Sequence, residues 1–284
     1  MRKRLLCIIS SICLATSFGM LECYASDSIK VGVVAVGSYK TKGNCKQPDR
    51  ASVHLGTIFL RTMTNTRGFN TTPATQVFFH TDNYAWEKTL IYGNHHNDGG
   101  NLYATVDDVD LALYCGHGFM AGSHGIPNNH MHFYTKNRSD MLHASGEAGE
   151  ADPESNLTTT ECYWGRGSDT KWVVAYTCNF LNPADTEREK MMHGVHMVLG
   201  YASTMYIDRA VAFDFGDRLR YGEKFIDAFV ASSYQYMLPN CDSELVVSAL
   251  TSIDSVNDTI CDYSAKPTPY VSGGSYLQFD YRFK

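Results

Sequence analysis

The stretch VDLALYCGHGF, residues 109 to 119, joins a run of β-forming residues to a histidine that stands between two glycines. Its first part, VDLALYC, is nearly continuous in apolar residues, which is typical of a strand buried on both faces. Gly116 and Gly118, on either side of His117, allow a sharp turn and a close approach of the main chain. The stretch therefore predicts a buried strand with an imidazole at its carboxyl end.

Strand-like and helix-like segments alternate along the rest of the chain. The predicted strands cover 28–39, 75–82, 109–115, 171–178 and 195–203, and the predicted helices cover 50–64, 84–93, 182–194 and most of 208–237. SELVVSALTSI and SYLQFDYRF, near the end of the chain, indicate further strands. Apolar strands that alternate with helices predict the α/β class, with a mostly parallel sheet and helices on both faces.

For two of the predicted helices, the sequence also predicts the capping residues or the buried face. For 182–194, Asn182 is the expected N-cap, Pro183 suits the first helical position, Asp185 favours the helix N-terminus and Gly194 ends the run. For 208–237, periodicity predicts an apolar stripe that faces the core. Its expected members are Ala210, Phe213, Leu219, Phe225, Ile226, Phe229 and Val230.

The remaining segments set the domain organisation. Residues 119–168 are rich in Gly, His, Asn and Ser and show no clear period, so they predict a long loop insertion. Residues 26–284 are then expected to form a single domain, because α/β folds of this size commonly have one core.

The first 25 residues have the pattern of a signal peptide. Arg2, Lys3 and Arg4 precede the apolar segment LLCIISSICLA, which is too short to span a membrane, and a cleavage site follows at Ala25. We therefore expect a secreted, periplasmic or cell-envelope protein. A lipid anchor on Cys23 is a weaker alternative.

Composition narrows the expected partners. The full chain has a formal charge of −6, and without residues 1–25 it has 21 basic and 29 acidic residues, a charge of −8. No cluster of Lys and Arg appears, which argues against nucleic acid and anionic membrane surfaces as partners. No later segment is long and apolar enough to span a membrane. No P-loop or strand-linked G-x-G-x-x-G motif is present, so no cofactor is expected.

Six cysteines remain after the signal peptide, and in an oxidising compartment they predict disulfides. Cys241 and Cys261 form the most local candidate pair, while Cys45 and Cys162 are further candidates. Cys115 precedes His117 by two residues, so a Cys115–Cys178 bond that blocks the thiol is a further possibility.

His117 and Cys178 follow two different predicted strands at their carboxyl ends. If those strands are neighbours, the imidazole and the thiol project from adjacent strand ends and can act as base and nucleophile. Gly116 and Gly118 let the main chain approach a substrate, and the Gly118 N–H can donate to an oxyanion. The pattern predicts acyl transfer to the thiol.

This order of motifs resembles the caspase-like fold of clan CD cysteine peptidases, which include caspases, legumains, gingipains and the related CHAT domains. The resemblance covers roughly residues 28–235 and rests on LALYCGHG and WVVAYTC, with HGVHMVLGYAST similar to the strand that follows the catalytic cysteine. It implies a three-layer sandwich and a peptide or protein substrate. It also implies His117 as general base and acid, Cys178 as nucleophile, and the N–H groups of Gly118 and Cys178 as oxyanion donors. Tyr176-Thr177 precede Cys178 where familiar members carry small residues, which favours a separate exported branch.

Two other functions remain open from the residues. A non-catalytic secreted or surface binding module on the same fold predicts that Cys178 is inert or in a disulfide. A zinc-dependent hydrolase would use the histidine cluster between 117 and 143, although the spacing matches no standard zinc motif and we expect no metal. The cluster consists of His117, His124, His130, His132 and His143.

Overall fold

The fold was analysed in a computed structural model. The structure describes residues 28–37, 50–66, 71–85, 89–90, 104–123, 128–132, 156–160, 162–165, 168–264 and 276–284. The predicted signal peptide lies outside these ranges and stays a prediction. Within the described ranges, no helix is long and apolar enough to cross a membrane.

A seven-stranded mixed sheet forms the centre of the fold, and a three-stranded sheet accompanies it. The strands are β1 (Lys30–Ala35), β2 (Thr75–Thr81), β3 (Leu111–Cys115), β4 (Gly118–Phe119), β5 (His130–His132), β6 (Asn156–Thr158), β7 (Trp172–Tyr176), β8 (Met197–Tyr201), β9 (Leu245–Ser252) and β10 (Tyr276–Phe283). The large sheet has the order β10-β9-β8-β7-β3-β1-β2. The strands from β8 to β2 in this order are parallel, whereas β9 and β10 are antiparallel to their neighbours. The predicted α/β class with a mostly parallel sheet is confirmed.

The central strands are apolar because both faces of the sheet are covered. Every residue of β3, β7 and β8 is buried. On one face, Leu113 and Val174 pack against the α-helices. On the other face, Tyr114 and Ala175 pack against side chains from turns, including Trp164. Burial on both faces explains why these strands lack the polar alternation of half-exposed strands.

The three α-helices within the described residues all lie on one face. They are α1 (Arg50–Thr64), α2 (Arg209–Arg220) and α3 (Phe225–Tyr236), and all three contribute to the same core cluster. Helices were expected on both faces, but those described cover one. Most of the helix predicted at 84–93 lies outside the described residues. A short 3-10 helix, Asp82–Tyr84, is described at its start.

The helix predicted at 182–194 is wrong. The expected local cap is present, since Asn182 Oδ1 accepts from the Ala184 N–H at 2.9 Å. However, the chain then forms turns and one short 3-10 helix, Arg188–Met191. Asp185 is 1% exposed and accepts hydrogen bonds from distant residues instead of lying in a first helical turn. Tertiary hydrogen bonds therefore outweigh the local helix signals here.

The helical segment 208–237 is two helices rather than one. Gly222, with φ +83°, separates them in a conformation that favours glycine. Leu219, Phe225, Ile226 and Phe229 are buried as predicted. Val230 is partly buried and packs against the same core, as predicted. Phe213 is 53% exposed and Ala210 is only partly buried, so these two predictions are wrong. Val211 and Phe215 fill the core instead, because α2 is rotated relative to the expected stripe.

The insertion predicted as a long loop at 119–168 carries strands of its own. β5 pairs with β4 and with β6, in both cases antiparallel, and the resulting small sheet begins directly after His117. This small sheet therefore lies beside the carboxyl end of β3.

Candidate active site

β3 and β7 are neighbours in the sheet, as the sequence led us to expect. They pair in parallel from Leu111 with Trp172 to Cys115 with Tyr176. The Gly116 N–H continues the ladder by donating to the Tyr176 carbonyl at 3.2 Å. If this register is extended by two residues, position 117 is level with position 178. The main chain thus brings His117 and Cys178 to adjacent strand ends.

Because side chains alternate between the two faces along a strand, positions 117 and 178 are expected on the same side of the sheet. Cys115 and Tyr176 point into the helix-covered core, so positions 117 and 178 are next on that side. The Cys178 side chain is half-buried and packs against the same core. His117 is also half-buried, and its carbonyl accepts from the Tyr114 hydroxyl at 3.2 Å.

Gly118 lies so close to the turn after β7 that no side chain fits. A Cβ on Gly118 would be 2.2 Å from Thr177 Oγ1 and 2.6 Å from the Cys178 carbonyl oxygen. Glycine at this position therefore permits the main chain of β4 to contact the main chain at Cys178. Gly116 has a different role, because its N–H is used in the ladder with β7.

The Cys178 thiol is held by the main chain of Met205, in the loop after β8. Sγ lies 3.3 Å from the Met205 nitrogen, which donates to it, and 3.5 Å from the Met205 carbonyl oxygen. Burial raises the pKa of the thiol, while the hydrogen bond with Met205 lowers it and the nearby Cys241 adds a smaller increase. Burial is the largest of these effects, so the thiol is protonated at neutral pH unless a base accepts its proton.

The main chain at Cys178 lies beyond the end of β7. Among the described residues the Cys178 N–H has no hydrogen-bond acceptor. The next residue, Asn179, has φ +58°, a left-handed conformation that asparagine tolerates better than most residues. The Asn179 N–H donates to the Ser203 carbonyl at 3.0 Å, which anchors the turn to the end of β8. The chain direction therefore changes at Cys178 and leaves one main-chain donor there for a ligand.

A buried carboxylate connects the small sheet to the segment after Cys178. Asp185 Oδ2 accepts from the Asn129 N–H at 2.9 Å and from the Thr159 hydroxyl. The Asn129 side chain donates to the carbonyls of Phe180 and Asn182 at 3.1 and 2.8 Å. Sequence reasoning missed Asn129, Thr159 and Met205, because each acts through contacts between segments far apart in the chain and none belongs to a recognisable motif.

The histidine cluster is only partly described. His130 is buried, with Nδ1 3.2 Å from the Asn128 carbonyl oxygen and its ring stacked on Phe119 at 5.4 Å. His124 and His143 lie outside the described residues, as does the His132 side chain. No group of three or more potential metal ligands occurs among the residues that are described. The zinc alternative stays a prediction.

Five cysteines are described, and none of them forms a disulfide. They are Cys115, Cys162, Cys178, Cys241 and Cys261, while Cys45 lies outside the described residues. Cys115 is paired with Tyr176 in the sheet and is not bonded to Cys178. Cys241 and Cys261 are likewise unbonded to each other here, and disulfides stay a prediction for the exported protein.

His193 and His196 precede β8 and make contacts within the fold. His196 Nδ1 lies 2.6 Å from Asp258 Oδ2, and the Trp172 indole donates to the same oxygen at 2.9 Å. His193 stacks on Tyr163 with ring centroids 4.2 Å apart. His196 precedes β8 and Trp172 begins β7, so this network lies at the amino ends of the strands. Cys178 lies at the other end, after the carboxyl end of β7.

Comparison with known proteins places the chain in a family whose function is undefined. No curated protein matches the sequence. A family model described as "Domain of unknown function (DUF6345)" matches residues 57–265, which is well over half of the chain and includes both His117 and Cys178. The chain therefore belongs to the family described as Domain of unknown function (DUF6345).

Proposed function

We propose that the protein is an exported cysteine peptidase with a caspase-like three-layer fold, in which His117 and Cys178 form the catalytic pair. The observation that carries the proposal is the parallel pairing of β3 with β7, whose register, extended by two residues, sets positions 117 and 178 level at adjacent strand ends. In parallel sheets, ligands bind at the carboxyl ends of the strands, where both residues lie.

The proposed reaction is acyl transfer to the thiol. His117 accepts the Cys178 proton, and Sγ attacks the carbonyl carbon of a peptide bond to form a carbon–sulfur bond. The Cys178 N–H, which has no acceptor among the described residues, and the Gly118 N–H donate to the oxyanion. His117 then protonates the leaving amine as the carbon–nitrogen bond breaks, and water hydrolyses the thioester.

The environment of the thiol makes the base necessary. Because burial raises the Cys178 pKa, a thiolate forms at neutral pH only with assistance. Met205 supplies part of this assistance, since its N–H donates to Sγ. We assign the rest of the assistance, which is removal of the thiol proton, to the His117 imidazole.

Exposed apolar side chains near these strand ends suit a peptide substrate. Met120 follows β4 and is 40% exposed, and Tyr206 follows Met205 and is 45% exposed. Met120 is two residues after Gly118, which lies against the Cys178 carbonyl, and Tyr206 is next to Met205, which contacts Cys178 Sγ. We expect them to contact substrate side chains around the scissile bond.

A binding module that kept the fold without the chemistry is the second candidate. The raised pKa of a half-buried thiol favours it, because an inert cysteine has the same property. The two functions differ in whether the His117 imidazole activates Cys178.

Alkylation of the folded protein distinguishes a cysteine peptidase from a binding module. Iodoacetamide labelling across pH 5 to 9, with mass mapping, measures each thiol, and Cys241 is an internal comparison because it is also half-buried with a pKa raised by burial. For a catalytic pair, we expect Cys178 to react at pH 7 at least about tenfold faster than Cys241, and to lose that advantage in His117→Ala. Equal reactivity of the two thiols, or no effect of His117→Ala, would sink the peptidase proposal.

A further inference from the structure

A cleft of about 450 Å³ lies between α1 and α2, on the outer side of the helix layer. Ile58, Arg61 and Thr62 line it from α1, and Arg209, Ala210 and Phe213 line it from α2. None of these residues belongs to the strand ends described above. Its volume is within the range of small-molecule sites, which is about 300–1,000 Å³.

The charge of the cleft is opposite to that of the chain. The described residues that line the cleft include two arginines and no acidic residue, whereas the whole chain has a net charge of −6. Neither Arg61 nor Arg209 has a hydrogen-bond or ion-pair partner among the described residues. By contrast, Arg218 pairs with Asp214 and Glu223, and Arg282 pairs with Glu244. The two cleft guanidiniums are therefore available to an anion.

The cleft also has an apolar wall. Phe213 is 53% exposed although it lies on a helix whose other large apolar residues are buried, and Ile58 beside it is only partly buried. An exposed aromatic ring next to an aliphatic side chain loses contact with water when an apolar group binds, which favours binding by about 25 cal/mol per Å² of buried surface.

Packing beneath the cleft holds its two walls in place. The Arg220 guanidinium, at the end of α2, donates to the carbonyls of Thr62 and Asn65 at 3.4 and 2.9 Å. Phe59 stacks on Phe215 at 5.9 Å between centroids, and Gly216 lets α2 approach Thr62 closely. These contacts join α1 directly to α2 and hold the two walls of the cleft together, and walls that are already held in place lower the cost of reorganisation on binding.

We propose that this cleft is a binding site for an organic anion, specifically a carboxylate carried on an apolar body. Arginine binds carboxylates through paired N–H groups in one plane, and two arginines line the same cleft. Phe213 and Ile58 contact the apolar body. The proposal does not depend on the chemistry of His117 and Cys178.

Competition binding tests the proposal with decanoate as the probe. Decanoate, neutral decanol and cationic decylamine, all below their micelle-forming concentrations, each compete with the fluorescent anion 8-anilinonaphthalene-1-sulfonate on the folded protein. We expect decanoate to bind more tightly than decanol, and decylamine to bind most weakly. Equal affinities for the three compounds would exclude a role for the arginines.

Substitutions in the cleft test whether decanoate binds there. In the double variant Arg61→Met and Arg209→Met, which keeps the apolar stems, we expect decanoate affinity to fall by about tenfold or more while decanol affinity is unchanged. Phe213→Ser, at an exposed position, should weaken both ligands. Arg50→Met is the matched control, because Arg50 is exposed at the start of α1 and outside the cleft. A similar loss in the control, or no loss in the double variant, overturns the proposal.

Discussion

The Asn129 N–H donates to the Asp185 carboxylate at 2.9 Å, although the two residues are 56 positions apart in the chain. Asn129 precedes β5, and Asp185 follows the turn that begins at Cys178. Their hydrogen bond, together with those from the Asn129 side chain to Phe180 and Asn182, fixes the small sheet against the segment after the proposed nucleophile. The shape of the candidate site on this side therefore depends on one buried carboxylate.

Replacement of Asp185 by alanine should destabilise the protein by about 2–4 kcal/mol. The buried Asn129 N–H and Thr159 hydroxyl would lose their acceptor, and buried donors without acceptors are costly. Urea denaturation measures the change, and hydrogen exchange should be faster for the amides of β4 and β5. The matched control is Glu187→Ala, an exposed carboxylate paired with Lys190, for which about 0.5 kcal/mol or less is expected. If both variants have wild-type stability, Asp185 does not hold the small sheet.

Replacement of Gly118 by alanine should displace the main chain at Cys178. The new Cβ would be 2.6 Å from the Cys178 carbonyl oxygen, an atom that cannot move without the main chain. We expect a loss of about 1–3 kcal/mol in urea denaturation and a changed pH profile of Cys178 alkylation. Gly122→Ala is the control, since Gly122 has φ +85° but no atom within 4 Å of a new Cβ. It should cost about 1–2 kcal/mol through its conformation and leave the alkylation profile unchanged.

Two buried tyrosines should respond differently to loss of their hydroxyls. The Tyr176 hydroxyl has no hydrogen-bond partner among the described residues, whereas the Tyr201 hydroxyl lies 2.8 Å from Ser233 Oγ. Tyr176→Phe should therefore leave the free energy of unfolding at pH 7 unchanged or raise it by up to about 1 kcal/mol, while Tyr201→Phe should lower it by about 1 kcal/mol. A larger loss in Tyr176→Phe than in Tyr201→Phe would contradict this assignment.

The same pair predicts how stability changes at alkaline pH. Burial raises the pKa of Tyr176 and of Tyr201 well above the ordinary value near 10, so the fold favours their neutral forms. This contribution is complete below the pKa of tyrosine in the unfolded chain and is lost as the pH rises above about 10. Urea denaturation at pH 7 and pH 10.5 should show a smaller alkaline loss in Tyr176→Phe than in the wild type. An identical loss would mean that Tyr176 ionises as readily in the folded protein as in the unfolded one.

Local sequence predicted the elements that build the sheet. VDLALYC and WVVAYTC are continuous apolar runs because β3 and β7 are buried on both faces, and burial of this kind is visible in one segment at a time. The strand ends were equally visible, since glycines follow the first run and a turn follows the second. The adjacency of β3 and β7 was an inference from chain order, and the structure confirmed it.

What remained hidden from the sequence depends on pairs of distant segments. The signals at 182–194 predicted a helix, but the Asp185 carboxylate binds donors near β5 and β6, which local propensity cannot anticipate. Periodicity placed Phe213 in the core, but the rotation of α2 against α1 leaves it exposed beside Arg61.

Sequence by itself thus determined which segments form the strands of the large sheet and which residues follow them, because hydrophobic periodicity and turn chemistry act over a few residues. Only the tertiary structure decided which strand ends are level, which carboxylate is buried and which arginines share a cleft. Those relations depend on register and helix rotation, which are set by packing across the whole core.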